Sequence, residues 1–194
     1  MTSKPQVRIL VPAGALGIPY DRTALAKGLE ANPDLIAIDG GSTDSGPHYL
    51  GTGTSKYSRS ATKADWTELM AARAQAGVPL LIGTAGTSGA DSAVDWMLDI
   101  TLEIARERGE RLKIATLKSG QDKAFVCAAL ENGMVTPLDA APNIDSDIVR
   151  DTSNIVALAG IEQIQAALDT SADIIIAGRA TDTAVIAALP IARG

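Results

Sequence analysis

Short apolar runs that each stop at a turn-forming, mostly polar cluster restrict the fold of this chain more than any other feature. These runs are mainly apolar rather than strictly alternating, which is typical of strands buried on both faces of a parallel sheet. Stretches with apolar residues at helical spacing lie between them. The sequence therefore predicts an α/β fold, a three-layer, doubly wound, mainly parallel sheet with helices on both faces. The runs are Val7–Val11, Leu35–Ile38, Leu80–Ile82, Leu112–Leu117 and Asp173–Ala177.

Several other segments carry local predictions. Ile155–Leu158 has the composition of a further strand, and Met134–Leu138 is either a strand or an extended connection. Thr62 with Asp65 three residues later predicts a capping box at the start of a helix. Thr183–Leu189 predicts a short apolar helix near the end of the chain. Residues 1–194 are expected to form a single α/β domain.

Charge and cysteine content exclude several classes of protein. The formal net charge is −6 and no basic cluster stands out, so nucleic acid is not an expected partner. No apolar run approaches the roughly eighteen residues of a membrane span, and no signal segment precedes the first strand, which together predict a cytoplasmic protein without a membrane partner. Cys127 is the single cysteine and His48 the single histidine, so neither a disulfide nor a zinc site of the usual ligands is predicted.

The polar clusters after the strands are expected to form the functional site. Right-handed crossovers bring the carboxyl ends of parallel strands to one edge, where ligands of such folds bind. We expect these clusters to line one cleft for a small anionic ligand. The predicted substrate-binding residues are Asp39, Gly40, Gly41, Ser42, Thr84, Gly86, Thr87, Ser88, Ser119, Arg179 and Thr181.

Acid/base candidates stand in the same clusters. Lys118, Asp44 and Asp182 are the predicted catalytic residues, since each follows or closely follows a strand. The glycine-rich loop 83–89 leads into a helix and suits an anion, although it lacks the Gly-Lys-Ser/Thr of a phosphate-binding loop. Flexible strand-to-helix packing would explain the glycines of that loop equally well, and a tight turn is the alternative for the Asp39–Asp44 cluster. An internal ion pair is likewise an equal alternative for Arg179.

Two C-terminal segments resemble the acyclic terpene utilisation A family of bacterial proteins. These are Asn154–Asp169 and its continuation Ala172–Asp182, and Asp39–Ser42 is consistent with them. The resemblance implies a cytoplasmic protein of branched-acid and acyl coenzyme A catabolism. Similar proteins continue beyond the position of Gly194, which implies that this chain is the N-terminal part of a larger enzyme or one subunit of a heteromer.

The expected function is that of a component of a catabolic enzyme acting on a small carboxylate or acyl thioester. A lyase, hydratase or isomerase that transfers a proton next to a carbonyl fits the candidates above. If the substrate is an acyl thioester, coenzyme A is expected as part of it; the residues identify no other cofactor. Two alternatives remain open: an amide or ester hydrolase using Ser42 or Ser88, and a non-catalytic metabolite-binding or scaffold subunit. The expected partners are a small anionic metabolite and a second polypeptide or the C-terminal remainder of the enzyme.

Overall fold

The computed structural model describes residues 6–41 and 47–194. The helices of this part of the chain follow the strands in the alternating order that the sequence predicts. The strands are β1 (Ile9–Leu10), β2 (Leu35–Asp39), β3 (Leu80–Gly83), β4 (Ile114–Leu117) and β5 (Ile174–Ala177). The helices are α1 (Arg22–Glu30), α2 (His48–Thr52), α3 (Arg59–Ala76), α4 (Asp91–Arg108), α5 (Lys123–Glu131), α6 (Ser146–Asp151), α7 (Ile161–Asp169) and α8 (Asp182–Ala192).

All of these strands are parallel, in the order β1-β2-β3-β5-β4. The last strand of the chain therefore lies inside the sheet, with Ile174 in register with Leu80 on one side and with Ile114 on the other. Because every strand runs the same way, their carboxyl ends share one edge. The prediction of a parallel α/β sheet is confirmed.

Alternate residues of the central strands are buried on opposite faces of the sheet. Ile36 and Ile38 pack with Trp66, Leu69 and other residues of α3 and α4. On the opposite face lies a second core formed with α7 and α8; its buried members include Leu35, Ala37, Ile175, Ile164 and Val185. Full burial of one such aliphatic side chain contributes about 1.5–3 kcal/mol. The result is the predicted arrangement of helices, sheet and helices in three layers.

Helix α3 begins earlier than the sequence predicts. Its N-cap is Ser58, whose hydroxyl accepts the N–H of Ala61 at 3.3 Å. Thr62, the predicted cap, lies inside the helix and is buried. The apolar stripe of Trp66, Leu69, Met70 and Ala74 predicts the helix. Two hydroxyl residues one turn apart, Ser58 and Thr62, could each have capped it, and the one nearer the loop does.

Ile155–Leu158 is not a strand of the sheet. This segment crosses the carboxyl edge, and Val156 forms only an isolated antiparallel bridge with Gly120. The N–H of Ala157 donates to the carbonyl of Ser119 at 2.8 Å, and that of Ala159 donates to the carbonyl of Arg179 at 2.9 Å. Its backbone groups are thus satisfied by two strand-end loops rather than by a neighbouring strand. Within residues 6–41 and 47–194, no helix has both the length and the apolar character required to cross a membrane.

Candidate functional site

The strand-end loops adjoin one another at the carboxyl edge of the sheet. The N–H of Gly40, after β2, donates to the carbonyl of Gly83 at 2.6 Å. The N–H of Thr84, after β3, donates to the carbonyl of Gly178 at 2.9 Å, and the N–H of Gly178 donates to Leu117 at 2.7 Å. A continuous chain of backbone hydrogen bonds therefore joins the ends of β2, β3, β5 and β4.

Asp39 is the acidic group at the β2 end of this edge. It is the last residue of β2 and continues the alternation of Leu35 and Ala37, whose side chains face α7 and α8. Its Oδ1 atom is buried and has no hydrogen-bond partner among the described residues. An unpaired buried carboxylate oxygen is costly, since a charged group loses its hydration there.

The pKa of Asp39 is raised to about 7, mainly by burial and also by the negative charge of Asp182. The N–H of Gly41, the hydroxyl of Thr84 and the N–H of Gly40 act in the opposite direction. Desolvation is the largest contribution. A carboxyl of this kind can both accept and donate a proton near neutral pH.

Asp182 is placed near Asp39 by the beginning of α8. Thr181 is the N-cap, and its hydroxyl accepts the N–H of Ala184 at 3.1 Å. Asp182 follows as the first helical residue, where a negative charge is favoured by the helix dipole, and it is exposed. The structure thus brings together a half-buried carboxyl, with one buried oxygen, and an exposed one from strand ends that are far apart in sequence.

The glycine-rich loop 83–89 is packed into the protein. Thr84, Thr87 and Ser88 are all buried. Among its N–H groups, that of Ala85 donates to Ala177 at 3.0 Å, and that of Thr87 donates to Gly40 at 3.1 Å. These donors, with that of Thr84, are occupied by the chain itself, so the observed role of the loop is to join β2, β3 and β5.

Close backbone approach explains two of the glycines. A Cβ on Gly40 would lie 2.5 Å from the carbonyl oxygen of Thr84. Gly89 has a φ of +68°, and a Cβ there would lie 2.3 Å from the backbone nitrogen of Arg179. Both residues are therefore required by packing between strand-end loops, whether or not a ligand binds.

Lys118 lies at the β4 end of the same edge. Its Nζ contacts the Asp95 carboxylate of α4 at 2.8 Å, and this hydrogen bond raises the pKa of Lys118 above its ordinary value. Next to it, Ser119 is buried and donates its hydroxyl to the carbonyl of Arg179 at 3.0 Å. The ion pair keeps Lys118 in its charged form, which suits attraction of an anion better than abstraction of a proton.

Of the two serines predicted as nucleophiles of a hydrolase, Ser42 and Ser88, the structure describes only Ser88. Ser88 is 2% exposed, and its hydroxyl accepts the N–H of Ala90 at 3.3 Å. His48, the one possible histidine base, stacks edge-on against Tyr49 in α2. Ser42 and Asp44 lie outside the described residues.

Two cavities flank the beginning of α4, and the sequence did not predict either. One has a volume of about 320 Å³ and is lined by Gly53, Thr54, Ser55, Tyr57, Arg59, Ser92, Ala93 and Trp96. The other, of about 340 Å³, is lined by Asp91, Gly120, Gln121, Asp122, Asn154, Ile155 and Val156. The position of Trp96 in the sequence could have indicated the first cavity, because this large aromatic residue lies beside the apolar stripe of α4 rather than within it. In the described ranges, no three His, Cys, Asp or Glu side chains come together as a metal site.

Comparison with known protein families gives a match over most of the chain. The family model described as "Acyclic terpene utilisation family protein AtuA" matches residues 50–193. The match includes the ends of β3, β4 and β5 but begins after Asp39. No curated protein and no solved structure matches the chain.

Proposed function

Because this chain belongs to the acyclic terpene utilisation AtuA family, we propose that it is a component of a catabolic enzyme that transfers a proton next to a carbonyl. Membership of the family suggests a role in acyclic terpene catabolism. The proposed substrate is a small carboxylate or acyl thioester. The observation that carries the proposal is the buried, unpartnered Oδ1 atom of Asp39 beside the negative charge of Asp182 at the carboxyl edge.

Asp39 is the proposed acid/base group. In its ionised form it removes the proton from the carbon next to the carbonyl, and the electron pair of that C–H bond moves into the carbonyl to form an enolate. The protonated carboxyl then returns the proton to carbon. Return to a different carbon gives an isomerisation. Loss of a leaving group from the carbon next to the enolate, with transfer of the Asp39 proton to that group, gives a lyase or dehydration reaction. Asp182 assists by raising the basicity of Asp39 through its charge.

Other predicted residues have supporting roles in this proposal. Lys118 and Arg179 supply positive charge at the β4 and β5 ends of the edge, which would attract an anionic substrate. The Lys118 ammonium stays protonated beside Asp95, so proton abstraction is assigned to Asp39 instead. The environment of Ser88 gives no support to the hydrolase alternative.

Deuterium exchange tests the proposal directly. The protein is incubated in D2O with short branched acyl thioesters, and deuterium next to the carbonyl is measured by mass spectrometry. We expect exchange by the wild type and a loss of about 10²–10⁴-fold in Asp39→Asn, the range that general acid/base catalysis provides. Asp139→Asn is the matched control, since Asp139 is exposed in the connection between α5 and α6.

Direct titration of the Asp39 carboxyl by ¹³C NMR provides a second measurement that needs no substrate. A midpoint near 7 is expected, and a midpoint near the ordinary aspartate value would contradict the proposal. Unchanged exchange in Asp39→Asn would also contradict it. Ligand binding without any exchange would instead favour a metabolite-binding subunit.

We further propose that α8 packs against a second polypeptide or the C-terminal remainder of the enzyme. This helix extends to Ala192, beyond the predicted Thr183–Leu189, and includes Pro190. Ile186 and Ile191 are exposed on it, which supports an interface. Native mass spectrometry of the purified protein, with Ile191→Lys as the variant, tests this: loss of a partner in the variant is expected, and a wild-type monomer with full activity would contradict it.

A further inference from the structure

We propose that the 320 Å³ pocket between the beginnings of α3 and α4 binds a small carboxylate with a compact apolar group. This pocket lies apart from the Asp39 carboxyl and has no part in the function proposed above. Its volume is within the range of small-molecule sites, and its lining combines aromatic rings, hydroxyl groups and a guanidinium. The inference rests on what each of these groups can bind.

Two aromatic side chains supply the apolar contact surface of the pocket. Trp96, on the first turns of α4, is half-buried and packs against the core on the side away from the pocket. Tyr57 is also half-buried, and its ring rests on Gly17, where an added Cβ would lie 2.6 Å from Cγ of the tyrosine. Rings held in place in this way bind an apolar group at a low cost in conformational entropy.

Arg59 supplies the positive charge. Its guanidinium contacts Glu103 at 2.6 Å, and Glu103 also accepts Lys63 at 2.7 Å. Lys63 in turn bridges to Glu107 at 2.6 Å. A ligand carboxylate that takes Arg59 would therefore leave Glu103 paired with Lys63. The exchange leaves no charge without a partner, and it forms a bidentate contact that a guanidinium favours.

Hydroxyl groups complete the polar side of the pocket. Ser92 donates to the carbonyl of Gly53 at 3.3 Å, and Thr54 shares a hydrogen bond with Thr52 at 2.7 Å. Both of these protons are committed, because Thr52 donates its own proton to His48 and therefore accepts from Thr54. Ser55 accepts the N–H of Tyr57 at 3.3 Å, so its hydroxyl proton can be donated to a ligand carboxylate. One guanidinium among neutral groups matches a single carboxylate rather than a polyphosphate.

The pocket is separated from Asp39 by the backbone at the end of β2. Ser55, Tyr57 and Trp96 also border a void of about 10 Å³ beside Gly40, which is large enough for one water at most. The side chain of Asp39 faces α7 and α8, whereas the pocket lies on the side of α3 and α4. A ligand in the pocket therefore does not contact the Asp39 carboxyl.

Indole ¹⁵N NMR tests the site, because the two tryptophans of the chain report on different places. Trp66 is fully buried and donates its N–H to Thr101, so its signal is the internal reference, whereas Trp96 lines the pocket. Titration with 3-methylbutanoate should shift the Trp96 signal saturably and leave Trp66 unchanged. The neutral isostere 3-methylbutan-1-ol should bind at least tenfold more weakly. Absence of a saturable Trp96 shift would overturn the proposal.

Variants separate this site from the Asp39 site. Arg59→Gln should weaken binding about ten- to hundredfold, the value of one hydrogen bond to a charged group. Arg106→Gln, at an exposed position in the last turn of α4, is the control and should have no effect. Glu103→Gln should strengthen binding, since it removes the competing partner of Arg59. Unchanged affinity in Arg59→Gln would overturn the proposal.

Asp39→Asn should bind 3-methylbutanoate as the wild type does. If it does not, the pocket and the Asp39 carboxyl form one site, and the separation proposed here is wrong. Loss of deuterium exchange in Asp39→Asn with intact binding at Trp96 supports both proposals independently.

Discussion

Trp66 donates its indole N–H to the hydroxyl of Thr101 at 2.9 Å, and both side chains are fully buried between α3 and α4. The Thr101 hydroxyl in turn donates a hydrogen bond to the carbonyl of Met97 at 2.7 Å. This pair is a polar contact inside an otherwise apolar layer. It links two long helices and orients the indole between them.

Thr101→Val should therefore reduce the free energy of unfolding by about 1–3 kcal/mol, because it leaves the indole N–H buried without an acceptor. Thr67→Val is the matched control, since the Thr67 hydroxyl also donates to a carbonyl one turn back, at 2.7 Å, but supports no indole. Urea denaturation followed by circular dichroism measures both. Equal losses in the two variants would mean that the indole hydrogen bond contributes nothing.

The raised pKa of Asp39 predicts a specific dependence of stability on pH. Between the ordinary value of 3.8 and about 7, the folded state binds the proton more tightly than the unfolded state does. The contribution to stability is thus fully present below pH 4 and is lost as the pH rises through 7. Asp39→Asn removes this loss. At pH 8 the free energy of unfolding of the variant should therefore exceed that of the wild type by on the order of 2 kcal/mol, a value discounted for solvent screening.

Urea unfolding of both proteins from pH 4 to pH 8 measures the difference. Comparison of the two curves cancels the titrating groups that do not interact with Asp39. Parallel curves would show that Asp39 has an ordinary pKa in the folded state.

Gly120 and Asp91 form a tight contact that a double-mutant cycle can test. Asp91 Oδ1 accepts the N–H groups of Ser119 at 3.1 Å and Gly120 at 2.9 Å, so the carboxylate cannot move away freely. A Cβ on Gly120 would lie 2.6 Å from Asp91 Oδ2. Gly120→Ala should cost about 1–3 kcal/mol in the wild type and much less in an Asp91→Ala background.

Gly14→Ala is the control for this cycle, because nothing lies within 4 Å of a Cβ added there. Thermal and urea unfolding of the four proteins of the cycle give the coupling energy. Additive costs would mean that the carboxylate adjusts to the added methyl group.

Lys118→Met should leave the thermal unfolding midpoint unchanged, since the ion pair with Asp95 is exposed on both sides. If Lys118 only attracts an anionic substrate, the variant raises KM and leaves kcat of the deuterium exchange as it was. A collapse of kcat would assign the proton transfer to Lys118, as its position after β4 first suggested.

The sequence predicted the layers of this fold well because each layer has a local cause. Uninterrupted apolar runs identified β2, β3 and β5, and helical apolar stripes identified α3 and α4. The prediction of a strand at Ile155–Leu158 was wrong, since this segment crosses the edge of the sheet and hydrogen-bonds to strand-end loops. Local pattern cannot distinguish these two environments when backbone groups are hydrogen-bonded in both.

The candidate site was predictable in position but not in chemistry. Parallel topology was enough to bring Asp39 and Asp182 to one edge. Their mutual effect depends on burial and on orientation within that edge, which no spacing in the sequence encodes. The internal hydrogen bonds of Thr84 and Thr87 were likewise invisible, because glycine-rich loops look the same whether their N–H groups bind a ligand or the chain itself.

The position of β5 inside the sheet has a consequence for the order in which this protein can fold during synthesis. While the ribosome is still making α7, β1, β2 and β3 can already pair, but β4 has no neighbouring strand. β3 and β4 each lack the neighbour that β5 will provide, because β5 pairs with both of them. Emergence of residues 174–177 then joins both parts in a single step, through long-range contacts that form slowly. Before that moment the nascent chain exposes two open strand edges, which makes this interval the one in which a chaperone would protect it most.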